Sequence, residues 1–290
     1  AIRRQRQMCI RDSLHSVMRP KGLIRLLLTG CLLLLLSGCT FGATVDALLT
    51  PPHLRGEQEQ IYQALENAVG NRITLQYPRS GDHLSAVMIS DLDGDGQDEA
   101  AVFYRKESSL STENALRLNL LDQADGTWMS VCDLPAEGAE VDRGFTADIG
   151  GRQRLIIGYS QVDQSDKALV VYNYEGGTLA KSFTVSYSSF DVADLDGDDQ
   201  SELLILKAVE GEHAAEAAVY VSDAQDHYTR YSLTLQGKTT EYSQVLCGNT
   251  QGKQTAIYLD GIVGATTMQT EVLQFDGKKL SYLVPTGSDA

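Results

Sequence analysis

Residues 91–99 read "DLDGDGQDE" and residues 194–202 read "DLDGDDQSE". Aspartates fill positions 1, 3 and 5 of both stretches, glycine position 4 and glutamate position 9, so the second repeats the first in kind and in register. Each runs straight into an apolar, strand-like segment, "EAAVFYR" in one and "ELLILKA" in the other. A motif that returns in the same local setting marks a repeated unit, and a repeat has to be read before single elements are.

The unit is about 50 residues long: Trp128, Leu179, Tyr228 and Leu280 each open the last strand of a unit, and they stand 51, 49 and 52 residues apart. Short runs rich in Val, Ile, Leu and Tyr, separated by Gly, Asp and Asn clusters, predict four strands in each unit. The first unit supplies "LSAVMIS", "EAAVFYR", "LRLNLLDQ" and "TWMSVCDL". Four antiparallel strands at this period are the composition of propeller blades. We therefore expect an all-β, propeller-like array of about four four-stranded blades over 71–290. One strand, "RITLQYP" at 72–78, is left over, which predicts one or more further blades beyond Ala290, the alternative being a four-bladed or unclosed arrangement. Ahead of it Ile61, Leu65 and Val69 recur at helical spacing and Gly70 is placed as a stop, predicting one short amphipathic helix over 56–70.

The repeated loop carries the chemistry. An EF-hand closes its calcium shell with a bidentate carboxylate at position 12, but that position holds Val102 in one copy and Ile205 in the other. A shorter scheme fits, because alternate positions in a tight turn aim their side chains at one centre and a hard cation takes six to eight oxygens. It assigns Asp91, Asp93, Asp95, the carbonyl of Gln97 and Glu99 to one site, and Asp194, Asp196, Asp198, the carbonyl of Gln200 and Glu202 to the other. The competing interpretation is a metal-free polar turn whose aspartates bond their own backbone.

These residues resemble the FG-GAP or VCBS repeats of integrin-alpha-like propellers, whose blades carry calcium in "DxDxDGxxD" loops between strands. The resemblance covers about 72–290 and implies calcium as cofactor, a propeller fold and an extracellular setting. Units two and four depart from it. "ADIGGRQRLIIGY" keeps Asp148 but brings in Arg152 and Arg154, and "CGNTQGKQTAIYL" has no aspartate, so no metal is expected there.

The N-terminal segment reads as leader. "RQRQMCIRDS" has the look of translated sequencing-adapter read-through, which makes 1–17 a non-native extension. From Met18 a basic head and the apolar run Leu26–Leu36 form a signal peptide, since that run is about half of the ~20 residues a membrane span requires. It ends in "LSGC", a lipobox pattern that assigns 18–38 as lipoprotein signal, Cys39 as the lipidated first mature residue and 39–55 as a tether.

Of the 24 basic and 39 acidic residues, 1–38 hold seven and one, which leaves 17 against 38 and a mature net charge of −21. That surface repels phosphate backbones and argues against nucleic acid. Cys132 and Cys247 lie in strand-like stretches as expected buried thiols, and no catalytic signature such as "GxSxG" or "HExxH" occurs. The expectation is a non-enzymatic, calcium-binding, lipid-anchored protein of the cell envelope, exposed outside the cytoplasm, acting in adhesion or ligand recognition. The alternative is a polysaccharide-active enzyme or accessory subunit on the same scaffold.

Overall fold

The computed structural model describes residues 56–107, 115–161, 167–208, 215–236, 239–249, 255–263 and 267–283. The expected leader, signal peptide and tether, Cys39 included, lie outside the described residues.

The second strand of each unit organises the packing. Along Glu99–Lys106 the side chains of Ala101 and Phe103 enter one apolar layer while Ala100, Val102 and Tyr104 enter another. The same division recurs along Arg152–Ser160 and Glu202–Lys207, where successive residues alternate between neighbouring layers. Strands buried on both faces need near-continuous apolar runs rather than an alternating pattern. "AAVFY", "LIIGY" and "LLIL" are such runs. Each fully buried Val, Leu, Ile or Phe side chain among them contributes about 1.5–3 kcal/mol.

Among the described residues four antiparallel sheets result, each built from consecutive strands. The first holds β1 (Ile73–Leu75), β2 (Val87–Ser90), β3 (Glu99–Lys106), β4 (Arg117–Ala124) and β5 (Thr127–Pro135). The second holds β6 (Glu140–Ile149), β7 (Arg152–Ser160), β8 (Lys167–Glu175) and β9 (Thr178–Tyr187). The third holds β10 (Ser189–Ala193), β11 (Glu202–Lys207), β12 (Glu216–Ser222) and β13 (Tyr228–Thr234). The fourth holds β14 (Thr239–Asn249), β15 (Thr255–Val263), β16 (Thr267–Phe275) and β17 (Leu280–Tyr282). One apolar layer joins each sheet to the next, from first to fourth, in the manner of propeller blades. The architecture is all-β and propeller-like.

The predicted helix forms as α1 (Glu57–Val69), ended by Gly70, whose N–H donates to the Glu66 carbonyl at 2.8 Å. Its buried Ile61 and Leu65 meet Val87, Val102, Leu121 and Trp128 on the face of the first sheet turned away from the second. The helix thus occupies the place of a preceding blade, and an apolar face that would otherwise meet water is covered.

The leftover strand finds a different partner from the one its sequence position implied. β2 pairs with only the first half of β3, from Val87↔Val102 to Ser90↔Glu99. β1 pairs with the second half, Ile73↔Lys106 to Leu75↔Tyr104, along the same edge. Two short strands together do the work of one, because β3 is eight residues long and its backbone groups need partners along its whole length. The fourth blade is completed by its own β17. The orphan strand that motivated an additional blade is therefore part of the first.

Candidate functional site

Both aspartate loops join the first strand of a blade to the second. In the first blade, Oδ1 of Asp91 accepts the N–H of Gly94 at 2.7 Å and Oδ2 that of Gly96 at 3.0 Å. In the third, Asp194 takes the N–H groups of Gly197 at 2.7 Å and Asp199 at 3.1 Å. The first aspartate of each motif therefore shapes the turn around itself. Gly96 has a φ of 88°, and its counterpart Asp199 reaches the same left-handed region at 68°. Aspartate enters that region more readily than most residues, which explains why this exchange is tolerated.

The ninth-position glutamates close the loops from inside. Glu99 is 1% exposed and accepts the Leu92 N–H at 2.6 Å; Glu202 is 2% exposed and accepts the Leu195 N–H at 2.8 Å. Carboxylate oxygens of Asp91, Asp93 and Glu99 lie within 4.8 Å of one another, as do those of Asp194, Asp196 and Glu202. Oxygens around one ion at 2.3–2.6 Å are at most about 5 Å apart, so each triad fits a single coordination shell. Oε1 of Glu99 and Oδ1 of Asp196 are moreover buried with no hydrogen-bond partner among the described residues, an arrangement that a cation satisfies. Both clusters are able to hold a metal.

Not every expected ligand joins them. Asp95 turns its carboxylate to Gln97, taking the backbone N–H at 2.7 Å and the amide Nε2 at 3.2 Å. Asp198 does the same with Gln200, at 2.9 Å and 3.5 Å. A side chain this short reaches its own backbone two residues on as easily as it reaches the loop centre. Gln97 and Gln200 sit at the foot of the turn, held by those bonds. The structure thus brings together three of the carboxylates assigned to each loop and turns the fifth-position aspartate to the turn itself.

Burial sets the electrostatics. Desolvation, reinforced by Asp93, Asp122 and Asp91 and opposed by the Leu92 N–H, pushes the Glu99 carboxyl up to about 7. Glu202 goes up to about 8, mainly by desolvation, with Asp196, Asp198 and Asp194 adding to it. Asp93 and Asp196 are raised as well, again chiefly by desolvation. Several carboxyls pressed together in a partly dry loop favour protonation unless a cation takes the proton's place.

The second blade shows what replaces the loop. Its first two strands are joined by a hairpin turn of Gly150 and Gly151, with φ of 64° and 75°, and a Cβ on Gly150 would stand 2.6 Å from the Asp223 carbonyl oxygen of the next blade. Arg154, which precedes the apolar run as Glu99 and Glu202 do, is fully buried and ion-paired with Asp226 of the third blade. Its position in the sequence suggests an open loop; it belongs instead to β7 and faces the adjacent blade. Its partner lies 72 residues away, and no local signal links the two. The corresponding loop of the fourth blade includes residues outside the described set.

Both aspartate loops also touch the blade that comes after. Gln153 donates from Nε2 to the Ser90 hydroxyl at 3.2 Å beside the first loop. Thr255 of the fourth blade donates to the Asp194 carbonyl at 2.8 Å. Cys132 and Cys247 are free thiols, half-buried rather than enclosed.

No protein-family model and no curated protein matches the chain. Among solved structures it is similar to the exotype rhamnogalacturonan lyase YesX at 14% identity and a TM-score of 0.35, covering 73% of this chain and 56% of that one. It is also similar to a Bacillus licheniformis rhamnogalacturonan lyase at 14% identity and a TM-score of 0.36, covering 74% and 49%. A hypothetical protein from Leishmania major matches at 12% identity and a TM-score of 0.27, covering 76% and 95%. The chain spans about half the length of the lyases it matches. Likenesses this remote say nothing of its substrate or activity.

Proposed function

We propose that the chain is a calcium-binding, non-catalytic scaffold for ligand recognition in the cell envelope, with calcium held in the loops of the first and third blades. One observation carries this reading: the same carboxylate triad is built twice, at the same register of two blades. Calcium fits better than magnesium because the loops offer uneven oxygen ligands rather than a strict octahedron. Isothermal titration of metal-stripped protein should find two calcium ions per chain; silence in that titration, with the protein folded, rejects the reading.

The "LSGC" segment supports membrane attachment through a lipid on Cys39. Cys39→Ser should then release the protein from membranes, and unchanged retention counts against lipidation. Catalysis on polysaccharide is the second reading, favoured by the carboxylates of Asp82, Asp142 and Asp191 around a cavity separate from both loops. Incubation with neutral and acidic polysaccharides should leave chain length unaltered under the scaffold reading, whereas shortened chains favour the enzyme.

A further inference from the structure

The first strands of the second, third and fourth blades meet the β1–β2 connection around a cavity of about 490 Å3. It opens near the beginnings of β6 and β10, whereas the aspartate loops come after the ends of β2 and β10. Its volume lies within the ~300–1,000 Å3 of small-molecule sites.

The cavity is a built one. Asp142 is the extra residue of a β-bulge, where the β6–β7 register shifts between Val141 and Arg143. Bulges of this kind re-aim a side chain and gather near functional sites. The Asp142 carbonyl receives the N–H groups of Ser80 at 2.9 Å and Arg79 at 3.1 Å, fastening the first blade's connection to the second blade. Its carboxylate, 6% exposed, receives Lys167 Nζ at 2.9 Å and the Tyr187 hydroxyl at 2.7 Å. β14 also carries a register shift, between Tyr242 and Gln244, where it enters the cavity wall. Two of the three first strands in the wall are therefore distorted at the same place.

The polar groups narrow the ligand. Arg143 donates from one nitrogen to the Phe190 carbonyl at 2.7 Å, but its Nε is buried without a partner among the described residues. Asp191 accepts its neighbour's N–H, from Val192, at 3.0 Å on one oxygen and also meets the Cys247 thiol and the Arg143 charge, which leaves it part of its acceptor capacity. Asp82, Asp191 and Gln244 thus offer acceptors beside donors from Arg143 and Gln244. An anion would face the carboxylates of Asp82 and Asp191 while the Lys167 charge is already matched by Asp142, in a chain of net charge −15. A cation would face the Arg143 guanidinium, the lining cation that remains once Lys167 is matched by Asp142. A neutral ligand whose every group both donates and accepts uses both sets with no charge penalty, and vicinal hydroxyls do so.

We propose that this cavity binds a neutral pyranose sugar, free or as the end residue of a glycan, with Asp191 and Asp82 accepting from its hydroxyls and Arg143 donating to them. The assignment rests on the scaffold reading, since it names the ligand class of that scaffold. The test titrates the calcium-loaded full chain, by calorimetry, with the methyl glycosides of glucose, galactose, mannose, rhamnose and N-acetylglucosamine, and with galacturonic acid and spermidine as charged probes. One or more neutral glycosides should saturate a single site, and Asp191→Asn and Gln244→Ala should each weaken it, the former by about tenfold, as loss of a charged hydrogen bond implies. Both variants should still bind two calcium ions, which separates a lost site from a lost fold. Failure of every neutral glycoside at millimolar concentration, tighter binding of either charged probe, or unchanged affinity in both variants overturns the proposal. Sugar binding without calcium binding would instead overturn the metal assignment alone.

Discussion

Raising the pH of the metal-free protein from about 5 to about 8 should weaken its fold, the opposite of the usual behaviour of paired carboxylates. Glu99 leaves its ordinary value of 4.5 for about 7, and Glu202 for about 8, because folding takes both out of water. Between 4.5 and those values the folded chain keeps protons that the unfolded chain has released. Stability therefore falls as pH rises through the window, at about 1.36 kcal/mol per pH unit for each group. Ionising Glu99 alone removes about 3 kcal/mol, a large part of the 5–15 kcal/mol that holds a domain together. For a chain of this size that is roughly 6–12 °C in Tm. Calcium reverses the effect, because the ion stabilises the ionised carboxylates and adds about 2.7 kcal/mol per site at a hundredfold excess over Kd. The assay is a set of melts followed by circular dichroism on metal-stripped protein at half-unit pH steps, with and without calcium. Tm should slope downward without calcium and lie flat or rise with it. Parallel slopes, or a metal-free Tm that climbs with pH, would refute the reasoning.

Glu202→Gln should lower the calcium stoichiometry from two to one while raising the metal-free Tm at about pH 8, because a buried charge is lost. Arg154→Ala should cost about 1.5–3 kcal/mol in denaturant unfolding, since Asp226, itself 25% exposed, loses a charged hydrogen bond; a change near zero would mean that the pair does not join the blades. Gly158→Ala puts a Cβ against the Tyr187 hydroxyl and 2.8 Å from the Phe190 ring. Overpacking of that kind costs about 1–3 kcal/mol and should appear as a lower denaturation midpoint. Ile61→Ala should cost about 2–5 kcal/mol if α1 covers the first blade as a neighbouring blade would.

Much of the chain was legible because its signals are local. The apolar runs, the turn residues and the 50-residue period depend on neighbours in sequence, and they led to four four-stranded blades and to α1. The duplicated loop likewise announced its acidic chemistry, since Asp91, Asp93 and Glu99 converge through bonds spanning no more than seven residues. Asp95 stands apart from the triad for an equally local reason: its spacing fits a ligand, but the Gln97 N–H and amide compete for the same carboxylate. The role of residues 72–78 was hidden because β1 and β2 share one edge of β3, a pairing that no period in the sequence encodes.

Periodicity and short-range bonding are enough to establish the repeat, the strand and helix content and the acidic loops, so these could be read from the order of residues along the chain. Three features required the folded arrangement: α1 standing in for a blade, Arg154 meeting Asp226, and Asp82, Asp142, Arg143 and Asp191 surrounding one cavity. Arg154 and Asp226 come from different blades, as do Arg143 and Asp191, and only the packing of one sheet upon the next brings such distant side chains together.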